Sequence, residues 1–226
     1  MPRFARVVIP RCAHHITQRG NARRDTFFTP ADRDVYLGLL KRYAQFHQVA
    51  VMGYCLMSNH VHLVLTPDTE VGLAKTLRVV HMRYAQYRNA LEDSSGHIWQ
   101  SRYYSCPIES HRLGDVMRYV ELNPVRAGLV EDPRHYSWSS AKAHLRGVDV
   151  SGMLALTSWN RDWTPREWGK VLRSGQDRSE EIKEATYGGR PLGSEQFVEH
   201  LEKTLDRRLK RGLPGRPKRK ERVLTA

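Results

Sequence analysis

The sequence lacks the features of a membrane or secreted protein. Its 226 residues contain no apolar run long enough to span a bilayer, and no signal-peptide pattern is present. Cysteine is scarce: Cys12, Cys55 and Cys106 are scattered, odd in number and without zinc-ligand spacing. A disulfide framework is therefore not expected, and a reducing compartment is indicated. We expect a cytoplasmic protein with no membrane partner.

Acidic residues are also few, 24 against 37 Lys and Arg, so the formal net charge is +13. Residues 207–222 hold nine basic residues and one acidic residue, which is +8 of that total. A concentrated basic tail favours a polyanionic partner, because displaced counterions drive nucleic-acid binding. The alternative is a disordered tail that only adds solubility. Arg216 and Lys218 lie in a Pro-Gly-Arg-Pro-Lys segment similar to an AT-hook, which inserts arginine into a narrow minor groove.

A His-x-His pair lies inside a predicted strand, in Ser58-Asn59-His60-Val61-His62-Leu63-Val64-Leu65. Side chains alternate between the two faces of a strand, so His60 and His62 share one face, while Val61, Leu63 and Leu65 point the other way into a core. Two imidazoles side by side on a rigid strand can bind one divalent ion. A solvated or hydrogen-bonded pair of strand histidines is the alternative interpretation.

A second segment, about sixty residues downstream, predicts a helix that carries a tyrosine at the edge of its apolar stripe. Tyr119 and Asn123 are four residues apart and therefore share one helix face, with Arg112 and Asp115 on the same flank. Pro124 disfavours helical geometry at Asn123, which places that residue at the helix end. A boundary tyrosine with its hydroxyl in water remains the alternative. The apolar stripe consists of Leu113, Val116, Met117 and Val120.

These motifs together resemble the REP-associated tyrosine transposases of bacteria, which are single-tyrosine HUH transposases of the IS200-like type. Four segments carry the resemblance and occur in the family's order, within residues 1 to about 145. They are His14 to Asn21, Tyr54 to His62, Gly96 to Tyr103, and Arg118 to Ala127.

The resemblance implies a reaction and its residues. A Mg²⁺ or Mn²⁺ ion held by His60, His62 and Asn123 would polarise a phosphodiester. Tyr119 would attack the phosphorus and form a 5′-phosphotyrosine, and a 3′-hydroxyl could later reverse the step without ATP. The implied substrate is single-stranded DNA folded into imperfect palindromic hairpins. Relatives that swap the catalytic helix act as dimers, so a homodimer is possible on this resemblance.

Hairpin recognition needs contacts to the duplex backbone and to flanking single-stranded bases. The first segment is polar and basic, and suits that role. Trp99 could stack on a base, although a core tryptophan is the more common case. The DNA-binding candidates are His15, Gln18, Arg19, Asn21, Arg23, Gln100, Arg102 and Arg126, with Arg216 and Lys218 in the tail.

The predicted order of elements is β-α-β-β-α-β-α, which indicates an α+β fold: a ferredoxin-like palm with an antiparallel sheet and helices on one face. The predicted elements include strands at 49–57, 60–66 and 98–107, loops after residue 141, and a last helix that Ser194 caps and that reaches about residue 209. We expect a transposase domain at 1–145, a helical region at 146–210 and a basic, disordered tail at 211–226. The helical region could be a helix-turn-helix-like unit or a lid packed on the palm.

Three classes of function stay open at this point. The first is the DNA nicking and strand-transfer enzyme, which would be associated with the nucleoid. The second is a non-catalytic, sequence-specific DNA-binding regulator of the same fold. It would be favoured by loss of His60, His62 or Tyr119, and none is lost. The third is an RNA-binding ferredoxin-like module, which predicts aromatic residues on the exposed sheet face instead of histidines. A replication-initiator or relaxase nuclease is a variant of the first class.

Overall fold

The computed structural model describes residues 6–210, and the basic-tail candidates Arg216 and Lys218 lie outside that range. A four-stranded antiparallel sheet forms the centre, in the strand order β2-β3-β1-β4. The strands are β1 Ala13–Arg19, β2 Val49–Leu56, β3 His60–Pro67 and β4 Tyr104–Ile108; the α-helices are α1 Pro30–Phe46, α2 Gly72–Leu91, α3 Leu113–Glu121, α4 Asn123–Arg126, α5 Ala141–Arg146, α6 Leu156–Asp162, α7 Pro165–Ser174, α8 Ser179–Gly188 and α9 Glu195–Leu205.

The two long helices, α1 and α2, cover one face of the sheet, as the sequence predicts. α1 begins with a capping box in which Thr29 and Asp32 bond each other's backbone N–H groups, with Pro30 in the first turn. Buried side chains of β3, including Leu63, pack with Tyr36 of α1 and Leu77 of α2. This apolar layer is the main core of the protein.

The opposite face is also covered, by α3 and by helices from the C-terminal third. Val64, on this side of β3, belongs to a second core with Met117 and Val120 of α3 and Trp168 of α7. The helices predicted on one face are therefore the long pair, α1 and α2. A second layer of helices packs on the other face of the sheet. Apart from α3, the helices of that layer come from the C-terminal third, whose packing the sequence alone did not determine.

A buried carboxylate joins α3 to this second layer. Glu121 is fully buried and accepts hydrogen bonds from Ser140 Oγ at 2.6 Å, His144 Nδ1 at 2.5 Å and Trp168 Nε1 at 2.8 Å. Three donors compensate for the loss of water around the carboxylate. They fix the end of α3 against α5 and α7.

Further contacts attach the C-terminal helices to the palm. Arg112, before α3, forms a bidentate pair with Glu181 of α8 at 2.7 and 2.9 Å. Arg118 Nε donates to the Val171 carbonyl of α7 at 2.9 Å. Helix α8 also packs against β4 and β1. Helices α7 and α8 therefore pack on the palm.

Three predicted boundaries were wrong. The strand predicted at 98–107 is regular only from Tyr104, because the preceding residues make a single bridge at Trp99 and turn its indole toward α2. The predicted loops after 141 contain α5 and α6. The last helix was expected to reach residue 209 but ends at Leu205, where Asp206 adopts a left-handed φ of 45° and Glu202 accepts the later backbone N–H groups.

The helices within residues 6–210 are either too short or too polar to traverse a bilayer, α2 included.

Candidate functional site

Three histidines and one tyrosine meet on the sheet face beneath α3. The rings of His60 and His62 lie 5.0 Å apart, centroid to centroid. Tyr119 of α3 lies 5.4 Å from the ring of His62 and 5.6 Å from that of His15, with its ring edge-on to both. The structure therefore brings together the predicted metal pair and the predicted nucleophile within one chain.

Strand pairing explains why His15 belongs to this cluster. In β1 and β3, Thr17 is opposite His62, and His15 is opposite Val64. Residues paired across an antiparallel ladder share a face, so His15 and His62 both point toward α3. The sequence placed His15 among the DNA contacts, whereas its side chain is 1% exposed and stacks on His62 at 5.2 Å. The alternation of side chains along β1, combined with the β1–β3 register, would have identified His15 as a member of this cluster.

The hydrogen bonds of His60 fix which ring nitrogen carries the proton. Nδ1 of His60 lies 2.6 Å from Asn59 Oδ1, and the amide nitrogen of Asn59 donates to the Arg23 carbonyl at 3.1 Å. The amide oxygen of Asn59 therefore faces the imidazole and accepts from Nδ1–H. The Nε2 atom of His60 keeps its lone pair.

His62 is held by a hydrogen bond to His15 on the neighbouring strand. Its Nδ1 lies 3.0 Å from His15 Nε2, and His15 Nδ1 lies 2.7 Å from the Thr186 hydroxyl. Burial lowers the pKa of His15 to about 3 and that of His60 to about 4. Burial, followed by the nearby charges of His60 and His15, lowers the pKa of His62 well below 6.5. All three rings are neutral at neutral pH, the state in which imidazole binds a metal.

The histidine pair fits a divalent ion in its donor chemistry. Both rings are neutral, and His60 offers Nε2 while its Nδ1 is hydrogen-bonded, the arrangement typical of metal-bound histidine. Within residues 6–210, no group of three His, Cys, Asp or Glu side chains is arranged to hold an ion, so a third protein ligand would have to be of another type. Asn123 donates its amide nitrogen to the Tyr119 and Val120 carbonyls at 2.9 and 3.4 Å, which leaves its oxygen as the available ligand atom.

Tyr119 lies beside a positive charge. Its side chain is largely buried, and burial raises the pKa of its phenol to about 12, with Arg126 acting in the opposite direction. The Arg126 guanidinium is 4.6 Å from the centre of the Tyr119 ring and hydrogen-bonds the Tyr119 carbonyl. A cation at this position stabilises a phenolate or a bound phosphate.

The predicted DNA contacts lie in different surroundings in the structure. Gln18 is buried and donates to the Ser101 carbonyl at 2.7 Å, so its amide is used within the fold. Arg19 pairs with His60 in the ladder, and its buried Nε lacks a hydrogen-bond partner among residues 6–210. Arg23 is exposed. Asn21, Gln100 and Arg102 line one cavity of about 660 Å³, together with Trp99.

Trp99 has a packing role in this cavity wall. Its indole Nε1 donates to the His81 carbonyl at 3.1 Å, and its ring lies 5.7 Å from Tyr84 in the main core. The cavity lining therefore combines Trp99, which packs on the core, with polar residues of three segments: Asn21, then Gln86 and Asn89 of α2, then Gln100 and Arg102.

Comparison with known proteins agrees with the observed fold. A solved structure of a REP-associated tyrosine transposase bound to a REP hairpin is similar, with a TM-score of 0.57 and 16% identity over 73% of this chain and 92% of that one. At this identity the likeness establishes the fold. A structure of a protein from Deinococcus radiodurans described as a transposase aligns with a TM-score of 0.38 and 18% identity, covering 53% of this chain and 96% of that one.

No curated protein sequence matches the chain. The sequence profile of the family named "Transposase IS200 like" matches residues 8–123, about half of the chain, which includes both histidines of the pair, Tyr119 and Asn123. By this match, the chain belongs to the IS200-like transposase family.

Proposed function

We propose that this transposase is a metal-dependent endonuclease and strand transferase that acts on single-stranded DNA at palindromic hairpins. The observation that carries the proposal is the Tyr119 ring, 5.4 Å from His62 on the same face as His60. A tyrosine used only for packing does not require two neutral histidines beside it. The family's transposase character supports the same reaction class.

His60 and His62 would hold a Mg²⁺ or Mn²⁺ ion, with the Asn123 side-chain oxygen as a third ligand. Imidazole favours Mn²⁺ of the two. When bound, the ion supplies Lewis-acid polarisation of the scissile phosphate.

Tyr119 is the nucleophile in this proposal. Its phenolic oxygen forms a bond to phosphorus, and the bond from phosphorus to the 3′-oxygen breaks. The phenolic proton leaves to solvent, and the departing oxygen takes up a proton to become a 3′-hydroxyl. The product is a 5′-phosphotyrosine, which retains the bond energy for rejoining. Arg126 lies against the phenol ring and favours its anionic form.

The reverse step completes strand transfer. A 3′-hydroxyl from another DNA end attacks the phosphotyrosine, the bond between Tyr119 and phosphorus breaks, and the phenol is regenerated. Arg19 pairs with His60 in the β1–β3 ladder, and its positive charge suits a phosphate next to the histidine pair.

The catalytic unit is a monomer in this proposal. Tyr119 reaches the histidines of its own chain, and α3 is held in that position by Glu121 and by Arg112 through residues of the same chain. A dimer that exchanges α3 alone would have to break those contacts.

DNA recognition is assigned to the surface beside the site. The similar structure contains a REP hairpin, and we extend that substrate class to this chain. Asn21, Gln100 and Arg102 line one cavity suited to an unpaired nucleotide next to a hairpin, while Arg23 is exposed for duplex phosphates. His15 and Gln18 are left out of this set because both are buried.

The test is cleavage of single-stranded palindromic oligonucleotides with Mn²⁺ or Mg²⁺. Wild-type protein is expected to form a denaturant-resistant adduct with DNA, and Tyr119→Phe is expected to form none. Tyr87→Phe is the matched control, because Tyr87 uses its hydroxyl on Asp32 in the fold and should not change the adduct. DNA binding without an adduct, across many hairpins and both metals, would contradict the proposal and favour the regulatory DNA-binding protein.

A further inference from the structure

A threonine from the C-terminal third contacts the histidine cluster. Thr186 lies on α8, outside the family match that ends at residue 123. Its hydroxyl is 2.7 Å from His15 Nδ1, and His15 Nε2 is 3.0 Å from His62 Nδ1. Thr186 and His15 are both 1% exposed. A continuous chain of hydrogen bonds therefore runs from α8 to one member of the predicted metal pair.

The direction of each hydrogen bond follows from the first one. The Thr186 hydroxyl lies 2.7 Å from the Ile182 carbonyl, which can only accept, so the single hydroxyl proton points there. The threonine oxygen must then accept from His15 Nδ1–H. A neutral His15 protonated at Nδ1 has its lone pair on Nε2, so it accepts from His62 Nδ1–H. The lone pair of His62 is thereby assigned to Nε2.

A second contact saturates the threonine oxygen. Cys106 Sγ lies 3.3 Å from Thr186 Oγ1, and the thiol must be the donor, because the hydroxyl proton is already used. The oxygen thus accepts from His15 and Cys106 and donates to Ile182. With both lone pairs in use, the hydroxyl cannot reverse its direction without losing a buried hydrogen bond.

We infer that Thr186 and His15 are positioning residues for the metal site: they hold His62 in the tautomer and orientation that present Nε2 to the ion. The inference rests on the proposed function, and it extends the site to a helix outside the family match. His60 receives its equivalent support from Asn59, its neighbour in sequence, so the two ligands are held by independent means. Hydrogen-bonded partners of this kind affect metal affinity by about 10–100-fold.

The experiment uses the full chain and the variants Thr186→Val and Thr186→Ser, with direct titration of Mn²⁺ as one readout. Valine keeps the shape but removes the acceptor, so Mn²⁺ affinity is expected to fall about 10–100-fold. Serine keeps the hydroxyl and is expected to restore wild-type affinity. Lys183→Ala, on the exposed side of the same helix, is the control and should leave the affinity unchanged, since the Thr186–His15 bond is intact.

The second readout is the nitrogen NMR spectrum of the histidine rings in the metal-free protein. Wild-type His62 and His15 are expected to be protonated at Nδ1, and Thr186→Val is expected to show mixed tautomers. Wild-type His62 protonated at Nε2, or unchanged Mn²⁺ affinity in a folded Thr186→Val protein, would overturn the inference. If wild-type protein bound no Mn²⁺, the proposed function would fail, while the wild-type spectrum would still decide the tautomer and does not depend on any variant folding.

Discussion

The two faces of the sheet are built from alternate residues of the same strands, yet they differ in kind. Leu63 faces the long helices in an apolar core, and its neighbours His62 and Val64 face α3 and α8. Along β2 and β3, the first face contains aliphatic and aromatic packing. The second carries three neutral histidines and a tyrosine within hydrogen-bond or ring contact.

This difference separates two tasks within one small sheet. The long-helix face provides stability through burial of apolar area, which needs no particular geometry between polar atoms. The histidine face needs polar atoms held at fixed positions, and each buried donor there must have a partner. The second helical layer supplies those partners. The faces should therefore respond differently to mutation.

The largest effect is expected from Glu121→Ala, which removes the acceptor shared by Ser140, His144 and Trp168. Breaking a buried charged network costs about 3–5 kcal/mol of unfolding free energy. Urea denaturation measures the loss. Because α3 carries Tyr119, cleavage by the remaining folded protein should also fall. A change below about 1 kcal/mol would show that the network adds little to the stability of the second layer.

Leu63→Ala and Val64→Ala compare the two faces at adjacent positions, both fully buried. Leu63→Ala is expected to cost about 2–5 kcal/mol and to leave the cleavage rate of folded protein unchanged. Val64→Ala removes two methyl groups for about 2 kcal/mol, but the cavity lies beside His15, so the cleavage rate should fall.

Denaturation and single-turnover cleavage, measured on the same preparations, separate the two effects. Equal losses of cleavage in both variants would contradict the division of tasks between the faces.

Acidification should destabilise the protein through histidines that are buried and neutral. Burial lowers the pKa of His81 to about 3 and that of His14 to about 4. The unfolded chain therefore binds more protons than the folded one below the ordinary pKa of 6.5. Stability should fall as the pH drops from 6.5 toward 4, by about 1.4 kcal/mol per pH unit for each such histidine.

Denaturation at pH 7 and pH 5 tests this expectation. His81→Gln can still bond the Tyr36 hydroxyl, which His81 contacts at 3.1 Å, but it cannot titrate, so its loss at pH 5 should be smaller. His97→Gln, at an exposed position, is the control and should match the wild type. An identical loss in all three proteins would assign the acid sensitivity to other groups.

The smallest effect is expected on the outer surface of α8. Lys183 and Glu180 form an exposed ion pair at 2.6 Å, and such pairs contribute about 0–1 kcal/mol. Lys183→Ala should leave both Mn²⁺ affinity and stability close to wild type. Since Thr186 lies on the same helix, a large effect of Lys183→Ala on Mn²⁺ binding would indicate that α8 acts through its whole structure and not through its buried hydroxyl.

Much of the palm could be predicted from sequence because local signals are strong there. The capping residues of α1 and the turn at Ser58-Asn59 set two boundaries, and the alternation in β3 separates His62 from Leu63. The stripe of α3 predicts that Tyr119 borders the core. These features depend on neighbours within a few residues, so the sequence pattern contains them.

The remaining parts depend on long-range contacts that no local pattern encodes. The position of His15 requires the register of β1 against β3, and the role of Gln18 requires its contact with Ser101, 83 residues away. Thr186 meets His15 across 171 residues. The site residues that sequence reasoning missed are therefore those whose partners come from distant segments.

The order of synthesis determines when the Glu121 carboxylate can become buried. Its three donors follow it in the chain by 19, 23 and 47 residues, and a chain leaves the ribosome from its N-terminus. The strands and both histidines of the pair are made first. The carboxylate must keep its water until Trp168 has been translated, because a bare charge is costly to bury. The helix that bears Tyr119 thus reaches its final environment only after all four strands beneath it have been synthesised.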